Sequence, residues 1–441
     1  MLTAFAQAFR TPDLRKKLLF VLFILVLFRI GSSIPVAGVS VKNINYCLKV
    51  ESSNGGNSVY TLINLFSGGA LLKLSILALG IMPYITASII IQLLVVVIPR
   101  LEKLKDEGQA GQAKMTQYTR YLTIGLAVLQ SAAFVALART PGQIFQSCSD
   151  ASGNPVKIVT NTSFGVISTM VLTMIAGTAL IMWLGELITD RGIGNGMSIL
   201  IFTQIAARFP TELNSIRLSK PLGVFIGVLL VGVVIIAAIV FVEQAQRRIP
   251  VQYAKRMIGR RMYGGTSTYL PLKVNQAGVI PVIFASSLLY IPSLATQVWS
   301  KNVGLATWIN NYLSPTSAHP TYLLAYAVLI IFFTFFYVAI TFNPDEVADN
   351  MKKYGGFIPG IRPGRPTAEY LSYVLSRITV PGATYLAVIA VLPELALSFV
   401  GSTQAFPFGG TSILIIVGVG LDTVKQIESQ LMLRNYEGFL R

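Results

Sequence analysis

The chain has 441 residues, of which 53% are hydrophobic and only 12% are charged, and its mean hydropathy is +0.65. Soluble domains carry about 25% charged residues, so this composition excludes a soluble globular protein and indicates a membrane protein with several spans. The net charge of +17 is compatible with nucleic acid or anionic lipid as a partner, whereas two cysteines and one histidine exclude a cysteine-rich or histidine-based metal centre.

The first predicted element is an apolar run at about residues 18–37, which follows a basic N-terminal segment. The run contains Arg29 and lacks the small-residue cleavage site of a signal peptide, so it predicts an uncleaved first span. A polar loop at residues 39–60 follows it.

The second apolar stretch, residues 62–98, is too long and too interrupted to be one plain membrane helix. Its first part, residues 62–75, contains a glycine pair and Lys73 and is too short to cross a bilayer. Its second part is long enough, but Pro83 predicts a kink or a new helix start, because proline removes a backbone donor. Broken apolar segments at membrane depth line a cavity or are buried in protein.

Helical spacing places four residues of this stretch on one face, namely Ile81, Ile85, Ser88 and Gln92. The face begins with branched apolar side chains and ends with hydroxyl and amide groups. Two interpretations are open at this point: core packing with tolerated polar residues, or a surface that faces a pore and then a gate.

Ten spans are predicted in all, because eight more apolar segments follow at about residues 121–138, 164–184, 198–207, 222–242, 277–294, 322–342, 378–396 and 411–421. Ten spans place both termini on one side. Most of the 35 Lys and Arg residues lie on that side, which assigns the termini and the large basic loops to the cytoplasm. Pro83 and Pro281 interrupt the second and seventh spans, so we expect two inverted repeats of five spans, residues 1–210 and 211–441.

The 18 acidic residues lie in loops or at the ends of the apolar segments, as Glu186, Glu243 and Asp422 do. Ion-coupled transporters usually bury a carboxylate or a histidine at mid-membrane, so this distribution opposes a symporter or a pump. The sequence also lacks a phosphate-binding glycine motif and a plausible catalytic triad, so we expect no enzyme activity, cofactor or metal. The remaining functional class is a passive channel that is driven by another molecule.

Two predicted cytoplasmic loops, residues 244–273 and 344–377, are rich in basic residues. The first contains the pairs Arg247 and Arg248, Lys255 and Arg256, and Arg260 and Arg261. In the second, the sequence Gly-Ile-Arg-Pro-Gly restricts the backbone around Arg362. One interpretation is the ordinary excess of positive charge on the cytoplasmic side. The other is a basic finger that contacts RNA phosphates or an acidic partner.

These loops and the sequences NLFSGGAL, LGIMPYITASIIIQLL, WLGELITDRGIGNGMSI and LPLKVNQAGVIP resemble the bacterial SecY family, the channel subunits of the Sec protein-translocation complex. The resemblance covers nearly the whole chain, in order. It implies an all-α polytopic membrane fold with ten transmembrane helices in two inverted five-helix halves, clamped by the small partner SecE. It also implies a pore that opens across the membrane, and sideways between the second and third and the seventh and eighth spans.

The resemblance further implies roles for individual residues. The pore ring would consist of Ile81, Ile85, Met197, Ile201, Ile283 and Ile415. The plug, a half-helix within about residues 62–75, would comprise Asn64, Leu65, Phe66, Ser67, Gly68, Gly69, Ala70, Leu71, Leu72 and Lys73. The lateral gate would include Ser88, Gln92, Gln130, Ser287 and Ile291. Family members usually have a branched aliphatic residue in place of Met197, so a more adaptable or leakier seal is expected there.

Partners are likewise implied by the resemblance. The ATPase SecA and the ribosome would dock on residues 247–273 and on the loop that contains Arg362. SecG, preprotein substrates and membrane lipids are further expected partners, and SecD/SecF and YidC are additional candidates. The expected location is the bacterial plasma membrane. A small-solute secondary transporter is the alternative function, which the acidic residues and the basic loops oppose.

Cys47 and Cys148 both fall in predicted external loops. Two unrelated thiols are the default interpretation. A disulfide that joins the two loops is the alternative, because the external compartment can be oxidising.

Overall fold

The computed structural model describes residues 9–53, 69–71, 73–140, 148, 156–207, 209–219, 221–253, 256–258, 261–263, 267–298, 303–313, 319–400 and 410–439. Each of the ten predicted apolar segments contributes to a helix. The first predicted half contains α1 Pro12–Ser33, α2 Val41–Ser53, α3 Met82–Val97, α4 Pro99–Asp106, α5 Gln109–Arg139, α6 Phe164–Arg191 and α7 Gly196–Ala206, and α8 Phe209–Ser219 crosses the predicted boundary at residue 210. The second half contains α9 Leu222–Gln244, α10 Ile280–Val298, α11 Val303–Tyr312, α12 Pro320–Thr341, α13 Pro344–Lys353, α14 Arg365–Val400 and α15 Gly410–Phe439.

Helix length and hydropathy agree with a protein that crosses a membrane many times. Six of the described helices are long and apolar enough to span, and a seventh span results if α3 and α4, which meet at a bend of 106°, are counted together. The other predicted spans lie on α1, whose first turns contain Lys16 and Lys17, and on the shorter apolar helices α7 and α10. The ten-helix prediction is therefore consistent with the described residues.

The two prolines that interrupt the sequence pattern lie at helix starts. α3 begins at Met82 with Pro83 in its first turn, and α10 begins at Ile280 with Pro281 next to it. Proline is favoured there because its missing N–H would have no partner in the first turn of a helix. The predicted restart at Pro83 is confirmed. Of the predicted plug, residues 69–71 and 73 form turns rather than helix, and residues 64–68 and 72 lie outside the described residues.

The loops predicted to be external contain the disulfide. Cys47 on α2 is bonded to Cys148, 101 residues further along the chain. Both cysteines are buried in an apolar cluster that also contains parts of α5 and α6. The default interpretation of two unrelated thiols is therefore wrong.

The loops predicted to be cytoplasmic contain the β-structure. Strands β1 Gln246–Tyr253 and β4 Ser267–Lys273 form an antiparallel hairpin, and β2 Arg256–Ile258 pairs with β3 Arg261–Tyr263 between them in the chain. β5 Gly356–Phe357, from the second basic loop, pairs with the other edge of β1. Ile249 and Val251 are buried whereas their neighbours on β1 are exposed, as the two-residue period of a strand requires.

Helix α7 begins with a side-chain cap. The Asn195 Oδ1 atom accepts hydrogen bonds from the backbone N–H groups of Met197 and Ser198, at 3.0 and 3.4 Å. These N–H groups have no partner within the helix, so the cap determines where this short helix begins.

Replacing Asn195 by alanine should destabilise the protein by about 0.5–2 kcal/mol, because the two N–H groups lose their acceptor. The measurement is the apparent melting temperature of the purified protein in detergent. Asn195→Ser is the matched control, since serine restores an N-cap oxygen and should recover most of the loss. Equal melting temperatures for Asn195→Ala and the parent would contradict the role of the cap.

Candidate pore and docking surface

The six residues assigned to a ring come from four helices and both halves of the chain. Ile81 precedes α3, Ile85 lies on α3, Met197 and Ile201 lie on α7, Ile283 on α10 and Ile415 on α15. All six belong to or pack against one apolar cluster, which we call the ring cluster. Five are buried and Ile85 is half-buried. Residues that are far apart in the sequence thus converge on one apolar contact between the halves.

Helix α7 is held in this cluster by the close approach of its backbone to that of α6. A Cβ atom on Gly196 would meet the carbonyl oxygen of Gly185 on α6, so position 196 requires glycine. Gly185 also forms a notch for Met197, whose Cε lies 2.9 Å from the place where a Cβ of Gly185 would be. The end of the Met197 side chain is therefore packed against α6. The expected leakiness of a methionine at this position stays an untested prediction.

The lateral-gate residues lie on the helices that the resemblance implies. Ser88 and Gln92 are half-buried on α3, and the Gln92 Nε2 atom donates a hydrogen bond of 3.5 Å to the Ser88 Oγ atom. Gln130 is half-buried on α5, which packs against α3. The Ser287 hydroxyl on α10 is buried and has no hydrogen-bond partner among the described residues. Ile291 lies on α10, but its side chain is outside the described part.

Part of the predicted plug is visible in the described residues. Ala70 and Leu71 are buried, and Lys73 is exposed. Leu71 belongs to the same apolar cluster as the disulfide. The plug residues Asn64, Leu65, Phe66, Ser67, Gly68 and Leu72 lie outside the described part, so the structure places only one end of the segment.

The basic residues assigned to docking are exposed to solvent wherever the structure describes their side chains. Arg247 and Arg248 are exposed on β1, and Arg362 is exposed in a turn after β5. Gly360 and Gly364 flank Arg362 with φ angles of +83° and +101°, which only glycine adopts readily. Arg256 and Arg261 lie on β2 and β3 with side chains outside the described part, and Lys255 and Arg260 are outside it altogether.

A hydrogen bond between a side chain and the backbone also holds the tight turn around Arg362. The Thr367 Oγ1 atom donates a hydrogen bond of 2.9 Å to the Arg362 carbonyl oxygen. The prediction that this sequence restricts the backbone is confirmed. The Arg362 side chain is thus exposed to solvent on a loop of defined shape.

Sequence reasoning missed an ion pair between two membrane helices. Arg120 on α5 donates two hydrogen bonds of 2.8 Å to the carboxylate of Glu186 on α6, beside a cavity of about 420 Å³. The sequence placed Glu186 at the end of an apolar segment. The helix α6 continues past that segment to Arg191, so Glu186 lies in the last turns of the helix. The carboxylate is paired and its side chain is only 20% exposed.

Replacing Gly185 by alanine should destabilise the protein by about 1–3 kcal/mol, because the new methyl group overlaps the end of Met197. Adding Met197→Ala should abolish most of this cost, which a double-mutant cycle on apparent melting temperatures measures. Gly165→Ala is the control on the same helix, since nothing lies within 4 Å of its Cβ position. Additive effects of the Gly185 and Met197 changes would contradict the notch.

Comparison with known proteins identifies the family of this chain. The family model SecY matches residues 75–424 of the chain. The protein translocase subunit SecY of Streptomyces scabiei is 65% identical over 445 residues, which cover 100% of both chains.

Solved structures show the same fold. A protein-conducting channel superposes with a TM-score of 0.62 at 19% identity, over 93% of this chain and 91% of that one. Sec61 in the canine ribosome–channel complex from the endoplasmic reticulum has a TM-score of 0.59 at 18% identity, over the same shares of the two chains. The chain therefore belongs to the SecY family.

Proposed function

We propose that the chain is the central, pore-forming subunit of a protein translocase. It is a passive channel that passes unfolded secretory chains across the membrane and releases transmembrane segments sideways into lipid. The observation that carries this proposal is the ring cluster, in which apolar side chains from α7, α10 and α15 meet Ile81 and Ile85. Relatives with 65% identity over their whole length are named as translocase subunits.

An apolar constriction suits such a channel. A narrow collar of aliphatic side chains holds no stable file of water, so ions meet a dewetted barrier while the channel rests. A polypeptide in transit presents side chains of every kind, and a collar that makes no directional hydrogen bonds accepts all of them. The ring residues therefore act as a seal that separates to admit a chain and closes again after it.

The sideways exit is assigned to the seam between the pair α3–α5 and the pair α10–α12. An apolar segment of roughly 20 residues can cross the bilayer, so it moves from the pore into lipid once this seam parts. The hydrogen bond between Gln92 and Ser88 and the unpaired hydroxyl of Ser287 set how readily the seam opens. Apolar replacements at these positions favour the closed seam.

The energy for transport comes from partners, because the chain itself is not proposed to catalyse a reaction. SecA and the ribosome bind the β1–β4 hairpin and the Arg362 turn, whose exposed guanidinium groups attract acidic side chains or RNA phosphates. Sec61, of the same fold, is seen in a ribosome–channel complex. SecE and SecG complete the channel in the bacterial plasma membrane, with both termini in the cytoplasm, and SecD/SecF and YidC assist it.

A small-solute transporter was the alternative, and no described feature favours it. Glu186 lines a cavity, but its carboxylate is held in an ion pair by Arg120 and is therefore not a free proton acceptor. The exposed basic loops also have no role in moving a small solute.

Replacing Ile201 by serine should raise the resting chloride leak of vesicles that contain the purified complex several-fold, because a hydroxyl in the collar favours water. Ile199→Ser is the matched control. Ile199 is a buried isoleucine of the same helix and the same cluster, but its Cδ1 atom packs against Gly194 rather than in the proposed ring. Equal leaks for both variants would mean that general loss of packing, and not the collar, controls the seal.

Replacing Arg362 by glutamate should reduce SecA-driven export at least about tenfold, which corresponds to a loss of about 1.4 kcal/mol in docking. The measurement is ATP-dependent protease protection of a radiolabelled preprotein in vesicles that contain the chain with SecE and SecG. Lys353→Glu makes the same charge change at an exposed residue of the same loop and should export nearly normally. Normal export by Arg362→Glu, with an intact complex, would contradict the docking assignment.

A further inference from the structure

The disulfide between Cys47 and Cys148 belongs to a continuous set of backbone contacts. The Val156 N–H donates to the Cys148 carbonyl at 3.2 Å, and the Ser40 N–H donates to the Ile158 carbonyl at 3.0 Å. The Val36 N–H donates to the Leu74 carbonyl and the Ile76 N–H donates to the Ile34 carbonyl, both at 2.9 Å. We call these paired segments, residues 34–47, 74–76, 148 and 156–160, the plate.

Apolar contacts join the plate to the disulfide directly. Both cysteines are nearly fully buried, with exposed fractions of 1% and 3%. They lie in one cluster with the predicted plug residue Leu71 and with Leu74 and Ala78, which lie between the plug and α3. The disulfide therefore lies among the contacts that hold the end of the plug segment in position.

Leu74, which lies in the plate, has a strained backbone conformation. Among described residues other than glycine, it alone has a positive φ angle, +45°. A leucine adopts this left-handed conformation only where its surroundings impose it. Here the Leu74 N–H donates to the Leu71 carbonyl at 2.8 Å, its own carbonyl accepts from Val36, and its side chain is buried. Loosening of the plate would allow this backbone to relax.

The strained segment leads directly into the ring cluster. Leu77 and Ile81 are members of that cluster, seven residues or fewer beyond Leu74. A shift at Leu74 therefore moves the start of α3, and with it Ile81 and Ile85. The path from the disulfide to the ring consists of packed, hydrogen-bonded residues throughout.

We propose that the Cys47–Cys148 disulfide is a latch that holds the channel in its resting, closed form. It does so by keeping the plate rigid and Leu74 in its strained conformation, so that cleavage of the bond permits the start of α3 to move and the seal to leak. The inference rests on the proposed channel function. It concerns the resting state alone, so translocation itself does not require the bond.

The chemistry of the latch is thiol–disulfide exchange. Formation removes two protons and two electrons from the cysteine thiols and passes them to an external disulfide, which becomes a dithiol. Cleavage by dithiothreitol is the reverse exchange: the two sulfurs regain their protons and electrons, and the reagent becomes a cyclic disulfide.

The test uses the complete chain, assembled with SecE and SecG, in chloride-loaded vesicles. Halide efflux is measured without SecA, and ATP-dependent preprotein protection is measured in the same preparation. Cleavage by dithiothreitol is verified by maleimide labelling after denaturation, which should add no label before reduction and two labels after it. We expect reduction to raise the leak several-fold while export stays within about twofold of its initial rate.

The matched control is the double variant Cys47→Ala with Cys148→Ala, in which the leak should be high from the start and unaffected by dithiothreitol. If the variant does not assemble, reduction of the assembled parent still decides the question. Two maleimide labels without reductant, or an unchanged leak after verified cleavage, would overturn the latch and leave the channel function intact. Absence of ATP-dependent protection in the parent would instead contradict the proposed function.

Discussion

Contact between apolar side chains from both halves of the chain is the constraint on which the rest of the structure depends. Ile81 and Ile201 come from the first half, and Ile283 and Ile415 come from the second. Aliphatic side chains form no directional bond, so the contact is stabilised only by apolar burial and close packing. Such a contact can separate and re-form without leaving a buried polar group unpaired. A channel that must open for chains of any sequence needs this property.

The helices that contribute to this contact are held in place in different ways. On α7, the Asn195 cap and the close approach of Gly196 to Gly185 hold the helix firmly against α6. The start of α3 instead follows a run of turns that contains the strained Leu74. The first support is built from regular helix packing, and the second depends on the plate and its disulfide. The proposed movement accordingly begins at α3 rather than at α7.

Much of the fold could be predicted from sequence because hydropathy and proline placement have direct structural causes. Every predicted apolar segment contributes to a helix, and Pro83 and Pro281 lie at helix starts. Helix ends were not predictable: the tenth segment was placed at residues 411–421, whereas α15 continues to Phe439. Hydropathy falls where a helix leaves the apolar region, although its backbone hydrogen bonds continue.

Long-range pairs of side chains could not be decided from the sequence, which left the disulfide as an alternative and gave no sign of the ion pair. Arg120 and Glu186 are 66 residues apart, and the two cysteines are separated by 101, so no local pattern connects them. For the candidate ring, helical spacing placed Ile81 and Ile85 on one face, but only the family resemblance connected them with Ile283 and Ile415. Convergence of four helices is a property of tertiary packing, which a single sequence does not display.

The pairing of β5 with β1 has a mechanical consequence. β1 follows α9 directly and β5 precedes α14, so the pairing of these strands connects the two basic loops and, through them, two different helices. A partner that presses on the turn at Arg362 also loads the strand that carries Arg247 and Arg248. A force applied at this turn would therefore reach α9 and α14 together.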